Sequence, residues 1–155
     1  MIKNISIFDM DGTIIDSSHR QATLPDGTLN LAAWKENATP EKIFQDKVLP
    51  LANQIRKRMK RGDYVLICTA RNMSLADFEF LMNEGICPDK IISRPDGNNE
   101  PDGQLKAKQL ASLFNLKQFQ KASKVMFDDA ASVRSSLRKI GIAVINPEKI
   151  AERVA

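Results

Sequence analysis

The chain has 155 residues, 43% of them hydrophobic, which is enough for one core of ordinary size and too few for two. Its net charge of +4 is mildly basic and permits a phosphorylated or nucleic-acid ligand without demanding one. No apolar run approaches the roughly 18 residues of a membrane span and no secretory leader is evident, so the expectation is a soluble, cytoplasmic, single-domain protein with no membrane partner. Cys68 and Cys87 lack metal-ligand spacing and read as reduced core residues.

Strand-like and helix-like segments alternate along the chain. The strand candidates are Lys3 to Asp9, Asp63 to Thr69, Lys90 to Ser93, Lys124 to Asp128 and Ile142 to Ile145. Residues 17–39 follow the first of them and break the alternation. They contain the turn signal Pro25-Asp26-Gly27-Thr28 and the segment Leu29 to Trp34, and read as a small flap that excludes water and helps select a ligand, with a surface excursion that tucks Trp34 against the core as the alternative. A helix follows with Val48, Ala52, Ile55 and Met59 on one face, Arg56, Lys57, Lys60 and Arg61 on the rest, and Gly62 as its stop. The next helix, about Ser74 to Glu84, has Ser74 as N-cap, Leu75, Phe78, Leu81 and Met82 inward, and Gly85 at its end. Arg94 to Gly103 is rich in turn formers and reads as an exposed loop. A third helix spans about Leu105 to Asn115. The last runs from about Ala131 to Ile140, with Val133, Leu137 and Ile140 on one face and Gly141 closing it. Such alternation predicts βαβ units in an α/β, three-layer, doubly wound parallel sheet. No exposed apolar helix face announces an obligatory protein partner.

The chemistry concentrates at the strand ends. Ile5-Ser6-Ile7-Phe8 is a short apolar run that ends in Asp9-Met10-Asp11-Gly12-Thr13, so a buried strand delivers two carboxylates to the carboxyl edge of the sheet, where open α/β folds bind ligands. Two acids in a poorly hydrated crevice repel unless a cation or a shared proton compensates them. Magnesium suits such a site, since it takes one or two carboxylates together with waters and substrate phosphates. Beyond the second strand, Thr69-Ala70-Arg71 offers a hydroxyl and backbone amides to a phosphoryl oxygen. Beyond the fourth, Asp128-Asp129 adds acids for a metal, and Lys106 supplies a positive charge. Gly12, Thr13, Ala70, Arg71 and Arg94 are candidates to contact a substrate phosphate. His19, the single histidine, lies in the inserted segment and reads as a solvated loop histidine, with contact to the substrate as the alternative.

These four elements, in this order and over nearly the whole chain, resemble the haloacid dehalogenase superfamily of phosphotransferases. Asp9 to Thr13 looks like its first motif, Thr69 its second, Lys106 its third and Asp128-Asp129 its fourth. The resemblance implies a strand order of 5-4-1-2-3 and a magnesium-dependent phosphomonoester hydrolase. Asp9 would be the nucleophile that forms an aspartyl-phosphate, and Asp11 the general acid and base. Thr69 and Lys106 would hold the phosphate. The metal would be held by Asp9, Met10 through its carbonyl, Asp11, Asp128 and Asp129. Within the superfamily the chain is most similar to the 3′-phosphatase domain of phage polynucleotide kinase/phosphatases and related small phage-type phosphatases. Ala130 stands where that domain commonly has an arginine.

The substrate implied is a nucleotide or the 3′-phosphate end of a polynucleotide, with another small phosphorylated metabolite as the alternative. A signalling receiver domain also gathers acids, a Thr and a Lys around magnesium, but it carries its phosphorylated aspartate in the middle of the chain, where this one has Thr69. A phosphate-binding regulator without turnover is opposed by the presence of both Asp9 and Asp11.

Overall fold

The computed structural model describes residues 1–154. In chain order, β1 (Asn4–Phe8) leads into β2 (Ile15–Asp16), a 3-10 turn at Ser18–Arg20, α1 (Leu31–Glu36), α2 (Pro40–Ile43) and β3 (Lys47–Val48). A second 3-10 turn, Pro50–Ala52, precedes α3 (Asn53–Lys60), β4 (Tyr64–Cys68), α4 (Leu75–Asn83) and β5 (Lys90–Ile92). Then come α5 (Asp102–Phe114), β6 (Ser123–Phe127), α6 (Ala131–Arg138), β7 (Ala143–Ile145) and α7 (Pro147–Val154).

Five strands form one parallel sheet in the spatial order β5-β4-β1-β6-β7. Numbering only these strands along the chain and reading from β7, this is the expected 5-4-1-2-3. β1 is central because its residues alternate between two apolar layers with the period of a strand. Ile5 and Ile7 join Leu66, Met126, Leu110, Val133 and Leu137 on one face, where α5 and α6 pack. Phe8 joins Val65, Ile67, Ile55, Phe80 and Leu81 on the other, beneath α3 and α4. Phe8 and Phe127, neighbours in register, stack with ring centroids 5.1 Å apart.

The flap is rooted in a separate two-stranded ladder. β2 and β3 pair antiparallel, Ile15 with Val48 and Asp16 with Lys47, so the segment they bracket runs from Ser17 to Asp46 and takes in α1 and α2. The turn at Pro25–Thr28 closes as the sequence predicts, with Leu24 N donating to Thr28 O at 2.8 Å and Gly27 at φ +86°. Among the described residues, no helix is long and apolar enough to cross a membrane.

Several local expectations need correction. Val48 is exposed and belongs to β3, so α3 begins only at Asn53 and buries Ile55. In α4 the buried side chains are Ala76, Asp77, Phe80 and Leu81, whereas Leu75, Phe78 and Met82 face outward. The helix is apolar on most sides, and its rotation is fixed by Asp77, which accepts from Ser74 N at 2.7 Å in a capping box and turns inward to Arg71. The outward trio is therefore an exposed apolar face that periodicity alone does not reveal. Ile140 lies past the end of α6 and is exposed, and Cys87 is exposed while Cys68 is buried. α5 starts three residues earlier than expected, at Asp102.

Candidate active site

The sheet ladders run one residue past the strands and thereby fix three side chains at the carboxyl edge. Asp9 N donates to Phe127 O at 3.0 Å, Thr69 N to Ile92 O at 2.9 Å and Asp128 N to Ile145 O at 3.2 Å. Lys106 reaches them from the first turns of α5, which lies close against α6. A Cβ on Gly103 would meet Ser136 Oγ at 2.5 Å, so glycine is what lets the two helices approach.

Lys106 is buried, and its Nζ donates to Asp9 Oδ1 and to Asp128 Oδ2, both at 2.8 Å. Burial disfavours its charge, but the two carboxylates outweigh that and hold its pKa above the ordinary lysine value. Asp9 Oδ2 accepts from Thr13 Oγ1 at 3.2 Å, so both oxygens of Asp9 are oriented. Oxygens of Asp9, Asp128 and Asp129 lie within 4.8 Å of one another, with Asp129 the most exposed of the three. Burial, opposed by Lys106 and reinforced by the charge of Asp128, pushes the Asp9 carboxyl well above the usual carboxylate range. Three acids against one lysine leave an excess of negative charge around oxygen donors, the donor chemistry that suits a hard divalent cation. The residues therefore fit magnesium.

Two backbone features hold the fourth-motif acids in place. Arg134 Nη1 donates to Asp128 O at 3.1 Å and to Asp129 O at 2.7 Å, one helical turn beyond Ala130. Gly12, at φ +78°, passes so close to Asp129 that a Cβ there would sit 2.2 Å from its Oδ2. Gly12 thus serves the acid cluster through what it lacks.

Asp11 lies outside that convergence. Its Oδ1 accepts from Ser17 Oγ at 2.6 Å and from Arg71 Nη2 at 2.5 Å, and its Oδ2 from Arg71 Nε at 3.2 Å. Burial would raise its pKa, and Arg71 and Ser17 outweigh burial, so the carboxyl lies below its ordinary value. Arg71 also donates to Asp77 Oδ1 at 2.6 Å and lies 3.5 Å from Asp46 Oδ2. Asp46 in turn receives both Nε and Nη2 of Arg20, each at 2.9 Å, and sits 2.7 Å from His19 Nε2. A buried charge network thus joins flap, sheet edge and α4.

The other sequence candidates fall in various places. The Met10 carbonyl accepts from the amides of Thr13, Ile14 and Ile15, each at 3.0 Å, and so shapes the loop that carries Asp11. Thr69 Oγ1 accepts from Arg71 N at 3.0 Å, which leaves its hydroxyl proton free to donate. Ala70 gives its carbonyl to Arg94 Nε at 2.9 Å. Arg94 spends its remaining donors on Asn98, Glu100 and Asp102, and thereby organises the 94–103 loop. His19 binds Asp46 at the flap. Sequence reasoning missed Ser17, Arg20, Asp46 and Asp77 as parts of this site. Only Asp77 carried a signal, the Ser74-x-x-Asp77 capping pattern.

The acids and Lys106 open into a cavity of about 490 Å³, a size that suits a small molecule. Trp34, Leu29 and Leu31 of the flap line it, together with Arg71 and the Arg94 loop.

The family model described as bacteriophage T5 5′-deoxynucleotidase matches residues 1–155. The 5′-deoxynucleotidase of Escherichia phage T5 is 40% identical over 89 residues, 55% of this chain. That match spans 36% of the relative, so about a third of its length is represented. Among solved structures, a chain of the Pnkp1/Rnl/Hen1 complex superposes with a TM-score of 0.65 at 20% identity, covering 94% of this chain and 46% of that one. A HAD-superfamily hydrolase from Geobacter sulfurreducens gives a TM-score of 0.63 at 16% identity over 94% and 89%. A haloacid dehalogenase-like hydrolase from Streptococcus pneumoniae gives 0.60 at 12% identity over 99% of both chains. With its parallel sheet in this order and its whole length matched, the chain has the haloacid dehalogenase fold and belongs to the bacteriophage T5 5′-deoxynucleotidase family.

Proposed function

We propose that the chain is a magnesium-dependent phosphomonoesterase that hydrolyses deoxynucleoside 5′-monophosphates through an aspartyl-phosphate on Asp9. The observation that carries this reading is the convergence of Asp9, Lys106, Asp128 and Asp129 at the carboxyl edge of the sheet. The likeness to a family described as 5′-deoxynucleotidase supports this choice of substrate class. Asp9, Asp128 and Asp129 would hold magnesium, which when bound neutralises phosphoryl oxygens.

Asp9, oriented by Lys106 and Thr13, attacks phosphorus in line and displaces the ester oxygen. Thr69, with its proton free, and Lys106 face the phosphoryl oxygens. Asp11, held anionic by Arg71, is in the form that takes a proton from water in the second half of the reaction, when the acyl phosphate is hydrolysed. To give a proton to the leaving group in the first half, Asp11 must first loosen from the Arg71 fork and take up a proton from solvent, which it then passes to the departing ester oxygen.

Phosphate release with magnesium tests the reading. The substrates are deoxynucleoside 5′-monophosphates, the matching ribonucleotides and an oligonucleotide ending in a 3′-phosphate, with Asp9→Asn as the blank. Release from the deoxynucleotides above the blank supports the proposal. Preference for the oligonucleotide end would replace it with a 3′-phosphatase, and no release from any of them would overturn it.

A further inference from the structure

The cavity lining has two unlike parts. One is Asp9, Lys106 and Asp128; the other comes from the flap and includes Leu29, Leu31, Trp34 and Ala38 beside Gln21 and Lys35. Leu29 is 36% exposed and Leu31 64%, although both line a concave surface. Apolar side chains left in water at the wall of a cleft favour a ligand that covers them.

Trp34 is the single tryptophan of the chain and is held as a plate. The Arg20 guanidinium lies 4.2 Å from the ring centroid and that of Arg71 lies 5.6 Å away. Both arginines approach the same oxygen, Asp46 Oδ2, at 2.9 Å and 3.5 Å, so one carboxylate links the two cations beside the indole. Arg20 is itself buried, and among the described residues its Nη1 has no hydrogen-bond partner, while its guanidinium lies over the ring. Asp46 and Arg71 run on to Asp11, so the cations beside the indole are connected to the catalytic acids.

We infer that Trp34, backed by Arg20 and flanked by Leu29 and Leu31, is the platform on which the nucleobase of the substrate stacks while its phosphate lies at Asp9. The inference rests on the phosphomonoesterase reading above and deepens it. A ligand that is anionic at one end and flat and apolar at the other matches the two parts of the lining. A small sugar phosphate would leave the flap part wetted. The platform also selects for the presence of a base over its identity, because every base has a π-face.

The uniqueness of Trp34 makes its fluorescence a direct readout. The Asp9→Asn protein would be titrated with thymidine 5′-monophosphate, thymidine and deoxyribose 5-phosphate. Saturable quenching by the nucleotide and the nucleoside, without quenching by the base-free phosphate, is expected. Equal responses to all three, or none to the nucleotide, would overturn the platform. In parallel, the ratio of kcat/KM for thymidine 5′-monophosphate to that for deoxyribose 5-phosphate should fall about tenfold in Trp34→Ala, the size of one lost base stack. Trp34→Phe should recover most of it and shows that a fall reflects the lost ring and not a misfolded flap. An unchanged ratio in Trp34→Ala would overturn the inference. Failure of the wild-type protein to release phosphate from either compound would instead remove the phosphomonoesterase reading, and the titration would still decide the platform.

Discussion

Arg71 grips Asp11 with two donors, Nη2 at 2.5 Å and Nε at 3.2 Å, while its Nη1 holds Asp77 at 2.6 Å. One guanidinium thus fixes the second acid of the Asp9-x-Asp11 pair to the helix that follows the neighbouring strand. A lysine is a point donor and cannot span these partners. Arg71→Lys should lower kcat by on the order of 10- to 100-fold with a much smaller change in KM, since a misplaced proton-transfer group costs turnover. Steady-state kinetics with a deoxynucleoside 5′-monophosphate checks this. Arg71→Ala, which leaves Asp77 buried without its cation, should also cost about 3 kcal/mol in urea unfolding.

Lys106 is the cation that Asp9 and Asp128 share. Lys106→Met keeps much of the side-chain volume and removes the charge. Phosphate release should fall about 100- to 1000-fold, the scale of losing one electrostatic donor to a developing charge. In magnesium-free buffer the variant should also unfold at lower urea, because the acids then repel without compensation. Added magnesium should restore part of that loss.

Gly12 makes a sharper test of the acid cluster, because it contributes no side chain. Gly12→Ala combines a left-handed backbone conformation, costing roughly 1–2 kcal/mol for a residue with a Cβ, with a collision against Asp129. Magnesium affinity, read by calorimetry on the folded variant, should weaken by about tenfold or more. Wild-type affinity in that variant would mean that the close approach of Gly12 does not set the position of Asp129.

The two cysteines should behave oppositely. Burial pushes the Cys68 thiol up to about 12, whereas Cys87 is exposed. One thiol should react with a colorimetric disulfide reagent in the native protein and the second only after denaturation. Cys87→Ser should abolish the native reaction.

Acid stability offers a check away from the site. Asp63 accepts two hydrogen bonds from Arg61, at 3.0 and 2.7 Å, and one from Ser6 at 2.9 Å, and Arg61 foremost holds its carboxyl below the ordinary value. A carboxyl lowered in the folded state contributes stability that is fully present above the unfolded pKa and is lost as pH falls through the folded one. Asp63→Asn should therefore be less stable than the wild type at neutral pH, with the difference shrinking below about pH 4. Urea midpoints across that range measure it.

What could be read from the sequence follows from which interactions are local. The run Ile5 to Phe8 carries its own period, and the acids, glycine and threonine after it mark a strand end without reference to anything else. The glycines closing three helices were visible for the same reason: Gly62, Gly85 and Gly141 all have positive φ. In α4, by contrast, Leu75, Ala76, Phe78, Phe80, Leu81 and Met82 supply two apolar stripes, and a contact with Arg71 decides which is buried. Asp46 and Arg20 lie in a flap whose polar residues look like any solvated loop. They become recognisable only when the fold brings them to Arg71, far along the chain.

The covalent role of Asp9 is the centre of the proposal. Acid quenching after a brief reaction with phosphate-labelled deoxynucleotide should leave label on the protein, released by hydroxylamine and absent from Asp9→Asn. In Asp11→Asn the label that forms should persist longer after a chase with unlabelled nucleotide, because hydrolysis of the acyl phosphate loses its base. Turnover with no protein-bound label in either the wild type or Asp11→Asn would contradict attack by Asp9 and point to direct displacement by water.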